Sequence, residues 1–159
     1  MRILLHGGFH KTGTTSLQAA LVAHRAALAP YVQIETLRRN PGMTRATEAA
    51  RAFSIGGDKA ALEAALEAAM QVWAGGIDRA EGRDLVISSE DFAGHMPGRH
   101  GVVDYRAAVV TIPAAVAALA ARFPGAEITV LLTTRAAAPW LTSLHWQLAQ
   151  HPELMLKAR

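Results

Sequence analysis

Arg2-Ile3-Leu4-Leu5-His6 is a short apolar run that stops at Gly7-Gly8, the pattern of a buried strand running into a glycine-containing loop. From Thr14 the apolar spacing turns helical. Leu17, Leu21 and Leu28 share one face, with His24 on it, until Pro30 ends the helix. Residues 31–57 are less regular; Tyr31 to Leu37 reads as a strand and Asn40-Pro41-Gly42 as a turn. Asp58 is placed to cap a helix that carries Leu62, Leu66, Met70 and Trp73 on one face and closes at Gly75-Gly76. Asp84 to Ser88 is a second strand, ending in Ser89-Glu90-Asp91, and a glycine-rich loop follows from Gly94 to Gly101. Pro113 is positioned to open a helix with Val116, Leu119 and Phe123 on one face, stopped by Pro124-Gly125. Glu127 to Thr133 forms a third strand that runs into Thr134-Arg135, and Pro139 opens a last helix from Trp140 to about Gln150.

These strands are Val/Ile/Leu runs without strict alternation, and helices separate them. That pattern predicts an α/β fold with a parallel sheet covered by helices on both faces. In such sheets ligands bind beyond the carboxyl ends of the strands. The segments leaving the three strands carry Lys11, Glu90 and Arg135, so these three are expected to converge.

Composition narrows the chemistry. The chain is 159 residues long, about one domain's worth, with 51% hydrophobic and 18% charged residues, which excludes a disordered polymer. Alanine occurs 33 times and aromatic residues are few, as suits closely packed helices. The absence of cysteine excludes disulfides, thiolate metal sites and cysteine nucleophiles. The seven histidines form no metal-ligand spacing, so no metal is expected. No apolar run approaches the ~20 residues of a membrane span, and no secretory signal precedes Gly7, so a cytoplasmic location is expected. Charge is unevenly spread. Residues 1–51 hold seven basic and two acidic side chains, residues 52–91 three and eight, and residues 92–159 six and three. Two positive thirds around a negative middle suit a compact anionic ligand better than nucleic acid.

The segment between the first strand and first helix, Gly7-Gly8-Phe9-His10-Lys11-Thr12-Gly13-Thr14-Thr15-Ser16, spaces Gly8 and Gly13 as a Walker loop does. Glycines there let backbone N–H groups turn toward a phosphate, and the helix start adds a positive end. A Walker loop sets lysine directly after the second glycine; here Lys11 precedes Gly13. Lys11-Thr12-Gly13-Thr14-Thr15 instead resembles the 5′-phosphosulfate loop of the PAPS-dependent sulfotransferases, and Ser16-Leu17-Gln18 is similar to the bacterial and carbohydrate members. His10 stands where many members have proline. The strand ending at Arg135, followed eight residues later by Ser143, is similar to the family's 3′-phosphate site. Physically, a guanidinium fork and a helix-borne hydroxyl suit a phosphate. By itself Arg135 would read as an ordinary ion-paired arginine.

The resemblance runs from His6 to about Gln150 and implies a P-loop nucleotide-binding-like sheet. It also implies one sulfotransferase-like domain over residues 1–159, incomplete at its C-terminus. It implies PAPS (3′-phosphoadenosine 5′-phosphosulfate) as sulfuryl donor, without a metal, and a small-molecule or carbohydrate acceptor carrying a hydroxyl or amine. The donor-binding residues would be Lys11, Thr12, Gly13, Thr14, Thr15, Ser16, Arg135 and Ser143. Lys11 would stabilise the leaving phosphate, and Glu90, by analogy with carbohydrate sulfotransferases, would be the base. Asp91, and His95 or His100 in the glycine-rich loop, are the substitutes; equally, Glu90 is a cap or an ion-pair partner of Arg135. The competing expectations are a P-loop kinase or other NTP-using enzyme and a truncated, non-catalytic nucleotide-binding module.

Overall fold

A computed structural model describes residues 1–36, 41–77 and 82–151. Four strands form one parallel sheet: β1 (Arg2–His6), β2 (Val32–Thr36), β3 (Asp84–Ser88) and β4 (Glu127–Leu131). Their spatial order is β2-β3-β1-β4. From β1 the chain runs to the edge strand β2, returns to place β3 between them, and then crosses to β4 on the other side of β1. β1 thus lies at the point where a parallel sheet opens a crevice at its carboxyl edge. Leu37 and Asn40, the ends of two expected elements, lie outside the described residues.

The register divides the strands' side chains into two sets. Ile3 aligns with Leu85 and Ile128, and Leu5 with Ile87 and Val130; this face meets α3 (Pro41–Ser54), α4 (Lys59–Gly75) and α5 (Ala108–Arg122). Ile3, Leu5, Leu85, Ile87, Leu66, Trp73, Phe92 and Leu119 make the dry centre of that core. The alternate set includes Leu4, Val86 and Ile34. Ile34 is buried where α1 (Thr14–Ala23) and the short α2 (Arg25–Leu28) meet β2. The architecture is thus mixed α/β, with an all-parallel sheet flanked by helices, as the sequence pattern predicts.

The α4 expectation is met in detail. Asp58 accepts a hydrogen bond from the Ala61 amide at 3.1 Å, and Leu62, Leu66, Met70 and Trp73 are all buried. Four other expectations need correction. The helix from Thr14 does not run to Pro30: it breaks at His24, whose amide still bonds the Ala20 carbonyl, and His24 is exposed. Pro41 and Gly42 do not form a turn but begin α3, whose buried face is Gly42, Met43, Ala46, Thr47, Ala50 and Ser54. A Cβ on Gly42 would collide with the backbone at Trp73, so glycine allows α3 to lie close on α4. Pro113 lies inside α5, which already starts at Ala108; the hydrogen bond it cannot donate would have gone to Val109, an exposed residue where water can take its place. The last helix, α6 (Ala137–Ala149), starts two residues before Pro139, which still falls in the first turn, where a missing N–H costs nothing.

Candidate functional site

Beyond the end of β1 the chain keeps pairing with the segment after β4. The Gly7 amide bonds the Leu131 carbonyl at 3.1 Å and the Phe9 amide bonds the Thr133 carbonyl at 3.3 Å. The loop then turns sharply. Lys11 adopts φ 66° and Gly13 φ 95°; for a residue with a Cβ the left-handed region costs roughly 1–2 kcal/mol. Under this loop lies a chain of polar contacts. His6 Nδ1 is 2.8 Å from Ser88 Oγ, and His6 Nε2 is 3.3 Å from Thr133 Oγ1. Thr133 Oγ1 is in turn 2.8 Å from Thr12 Oγ1, which donates to the Phe9 carbonyl. His6 is almost fully buried, and burial lowers its pKa against a smaller opposing pull from the Glu90 charge. A neutral imidazole therefore ties the ends of β1 and β3 to the segment after β4. Gly8 is the tight point: a Cβ there would overlap the Thr133 hydroxyl and come within 2.7 Å of His6 Nε2.

Two long-range contacts fasten the same loop to α6. Lys11 Nζ donates to Gln147 Oε1 at 3.1 Å, and Trp140 Nε1 donates to the His10 carbonyl at 2.9 Å. Gln147 is one helical turn beyond Ser143, so the lysine loop and the Arg135–Ser143 segment share a wall. Between them lies a cleft of about 370 Å³, lined by Lys11, Gly13, Thr14, Thr15, Glu90, Arg135, Ser143, His10, Met96, Arg99 and Gln147. Seven of the residues singled out in the sequence meet there. Thr12 does not line it, because its hydroxyl is turned down to Phe9 and Thr133, and Ser16 lies exposed on α1.

Glu90 begins a 3₁₀ turn, Glu90–Ala93, directly after β3. Its Oε2 accepts from Gln18 Nε2 at 2.7 Å, and it has no ion pair with Arg135 among the described residues. Its neighbour Asp91 has a different setting. Burial works to raise the Asp91 carboxyl, but hydrogen bonding to His10 and the nearby Arg51 outweigh it and hold the group below the usual carboxylate range. Arg51 lies 2.7 Å and His10 3.6 Å from the same oxygen. Asp91 is therefore engaged in structure, and among the described residues Glu90 is the only carboxylate lining the cleft. His95 and His100 meet edge-on at 5.0 Å and do not line it. Phe9 and His10 stack on Tyr105, with ring centroids 4.6 and 5.8 Å away, which closes the floor behind the loop.

No family model matches the chain, and no curated protein or solved structure does either. Among the described residues no group of His, Cys, Asp or Glu is arranged to hold a metal ion, and no helix is long and apolar enough to cross a membrane.

Sequence reasoning had no hold on Gln147 and Arg99, single polar residues on a helix and a loop that only the fold brings to the cleft; Gln18 figured only in the resemblance, not as the partner of Glu90. Trp140 is visible in the sequence as an indole at the start of the last helix, and the fold makes it the donor that pins the His10 carbonyl.

Proposed function

We propose that this chain binds PAPS in the Lys11–Ser143 cleft and transfers its sulfuryl group to a hydroxyl acceptor. The observation that carries this reading is the shared wall. Lys11 and the Gly13-Thr14-Thr15 turn on one side face Arg135 and Ser143 on the other, and among the described residues three cations and a single carboxylate surround the cleft. Such a cleft suits a ligand with two separated anionic groups. Neither Arg135 nor Lys11 has an ion-pair partner among the described residues, so both charges are open to a ligand. The residues fit the donor: backbone and Thr14/Thr15 donors at a helix start for the 5′ end, and a guanidinium with a helix hydroxyl for the 3′-phosphate.

The chemistry follows from the two ionised groups near the carboxyl edge of the sheet. Glu90 accepts the acceptor's hydroxyl proton as the new oxygen–sulfur bond forms. The bond from sulfur to the bridging phosphate oxygen breaks, and adenosine 3′,5′-bisphosphate leaves with that oxygen's growing negative charge beside Lys11. Lys11 rests on Gln147 and Glu90 on Gln18. Neutral amide partners hold both side chains in place without neutralising either.

Calorimetric titration tests the reading. Adenosine 3′,5′-bisphosphate is expected to bind more tightly than AMP or ATP, without magnesium, and Arg135→Ala to weaken it by about 10–150-fold through loss of a charge-assisted contact. Tighter, magnesium-dependent binding of ATP would replace the proposal with an NTP-using enzyme. With measurable transfer, Glu90→Gln should lower turnover roughly 100- to 10,000-fold while leaving bisphosphate affinity unchanged; binding without any transfer by the wild type would leave a nucleotide-binding module.

A further inference from the structure

Once Lys11 and Arg135 are assigned to the donor's phosphates, one cation lining the cleft is left over. Arg99 stands in the glycine-rich loop after β3, on the same cleft as Glu90. Its backbone is fixed from both sides: its amide donates to the Met96 carbonyl at 3.1 Å, and its carbonyl accepts from the Val102 amide at 2.9 Å. Its Nε is buried and has no hydrogen-bond partner, and no carboxylate pairs with it among the described residues. Arg51, the other arginine whose charge acts on His95, is already committed to Asp91. The surroundings are electropositive as well. His95, in the same loop, is pushed down to about 4 by burial and then by the charges of His100, Arg51, Arg99 and His10. A guanidinium on an anchored loop backbone, with a buried and unpartnered Nε, is a poor stability device, because the lost hydration of that nitrogen is not offset within the protein. It is a good carboxylate receptor, because its planar fork meets two oxygens at once.

We propose that the acceptor is an alcohol that carries its own carboxylate, a hydroxy acid or sugar acid, with the carboxylate on Arg99 and the hydroxyl toward Glu90. This assignment rests on the donor reading of the cleft, since it takes Lys11 and Arg135 as occupied. A neutral alcohol would leave Arg99 unpaired.

The test compares methyl glucuronoside with methyl glucoside, which share a ring and hydroxyls and differ in the carboxylate. Binding of each to the full chain is followed by NMR, with and without saturating adenosine 3′,5′-bisphosphate. The glucuronoside should bind about tenfold or more tightly than the glucoside. Arg99→Met should erase that preference, Arg99→Lys should restore part of it, and bisphosphate affinity should stay within about twofold in both. Unchanged circular dichroism shows that the variants fold. Equal or undetectable binding of the two glycosides, or a preference that survives in Arg99→Met, overturns the proposal. So does a loss of bisphosphate affinity in Arg99→Met, which would move Arg99 to the donor site. A glucuronoside preference that needs Arg99, in a protein that binds no bisphosphate, would keep the anion site and remove the donor reading instead.

Discussion

Ile3 and Leu5 of β1 are 1% and 0% exposed, beneath α3, α4 and α5; one strand away, Val130 and Leu131 of β4 are 38% and 39% exposed. The same contrast runs through the helices. α4 buries six side chains, including Trp73, whereas α1 and α6 bury one each, Thr14 and Leu144. One side of the molecule is a packed core. The other, formed by β4, α1 and α6, carries the cleft: Lys11 just before α1, Arg135 after β4, and Ser143 and Gln147 on α6. Apolar contact holds the first side together. The second relies more on polar links, namely His6–Thr133–Thr12, Lys11–Gln147 and Trp140–His10. Stability and chemistry are therefore separable in this fold, and substitutions can address one without the other.

The largest effect is expected on the packed side. Trp73→Ala empties a fully buried position against Phe92, whose ring lies 5.7 Å away edge-on. It should cost about 3–5 kcal/mol of stability, read as a lower urea midpoint. A loss under about 1 kcal/mol would mean that this core is not what holds the fold.

Gly8→Ala probes the seam between the two sides. The added methyl must displace Thr133 or His6, and overpacking of this kind costs roughly 1–3 kcal/mol. Thr133 also holds Thr12, so the Lys11 turn should shift and bisphosphate affinity should fall along with stability. Trp73→Ala, in contrast, should leave affinity intact at temperatures where the variant is folded. If Gly8→Ala binds the bisphosphate normally, the polar links under the loop do not set its shape.

The two sides also differ in how far the sequence announces them. β1, β3, β4 and the Asp58-capped α4 are legible, because long apolar runs and a capping carboxylate are strong local signals. The convergence of Lys11, Glu90 and Arg135 is legible too, since a parallel sheet sends successive strand ends to one edge. α3 is hidden because its buried face is made of glycine, alanine, threonine and serine, with Met43 its one large apolar residue. Small residues bury well against α4 but leave little periodic hydrophobic signal. The break at His24 and the place of Pro113 inside α5 are tertiary outcomes that no local preference predicts. Arg99 and Gln147 are legible only once the loop after β3 and the face of α6 are known to meet.

Acid should weaken the fold through His6 and His95. His6 and His95 both have lowered values in the folded protein, His95 down from 6.5 to about 4. The unfolded chain then binds more protons than the folded one in that interval, so their contribution is present above about pH 6.5 and is lost as pH falls toward 4. Asp91, also lowered, continues the loss below its usual 3.8. Urea midpoints at neutral pH and near pH 5 should therefore differ, with the acidic value lower, and His95→Gln should shrink the difference. A midpoint that does not move between those conditions would show that neither histidine is held neutral by the fold.

The smallest effect belongs to the open side, and it bears most directly on the comparison. Leu131→Ser changes an apolar side chain on β4 that is already 39% exposed. Exposed positions away from caps and buried networks shift stability by about 0.5 kcal/mol or less. The Leu131 carbonyl, which accepts from the Gly7 amide, is backbone and survives the substitution, so the loop should keep its anchor. Leu131→Ser is therefore expected to leave both the urea midpoint and bisphosphate affinity close to wild type, while Leu5→Ser, on the neighbouring strand and fully buried, should unfold the protein or come near it. A large loss from Leu131→Ser would mean that this strand is covered in solution, and sedimentation of the wild type would then show whether a second copy of the chain covers it.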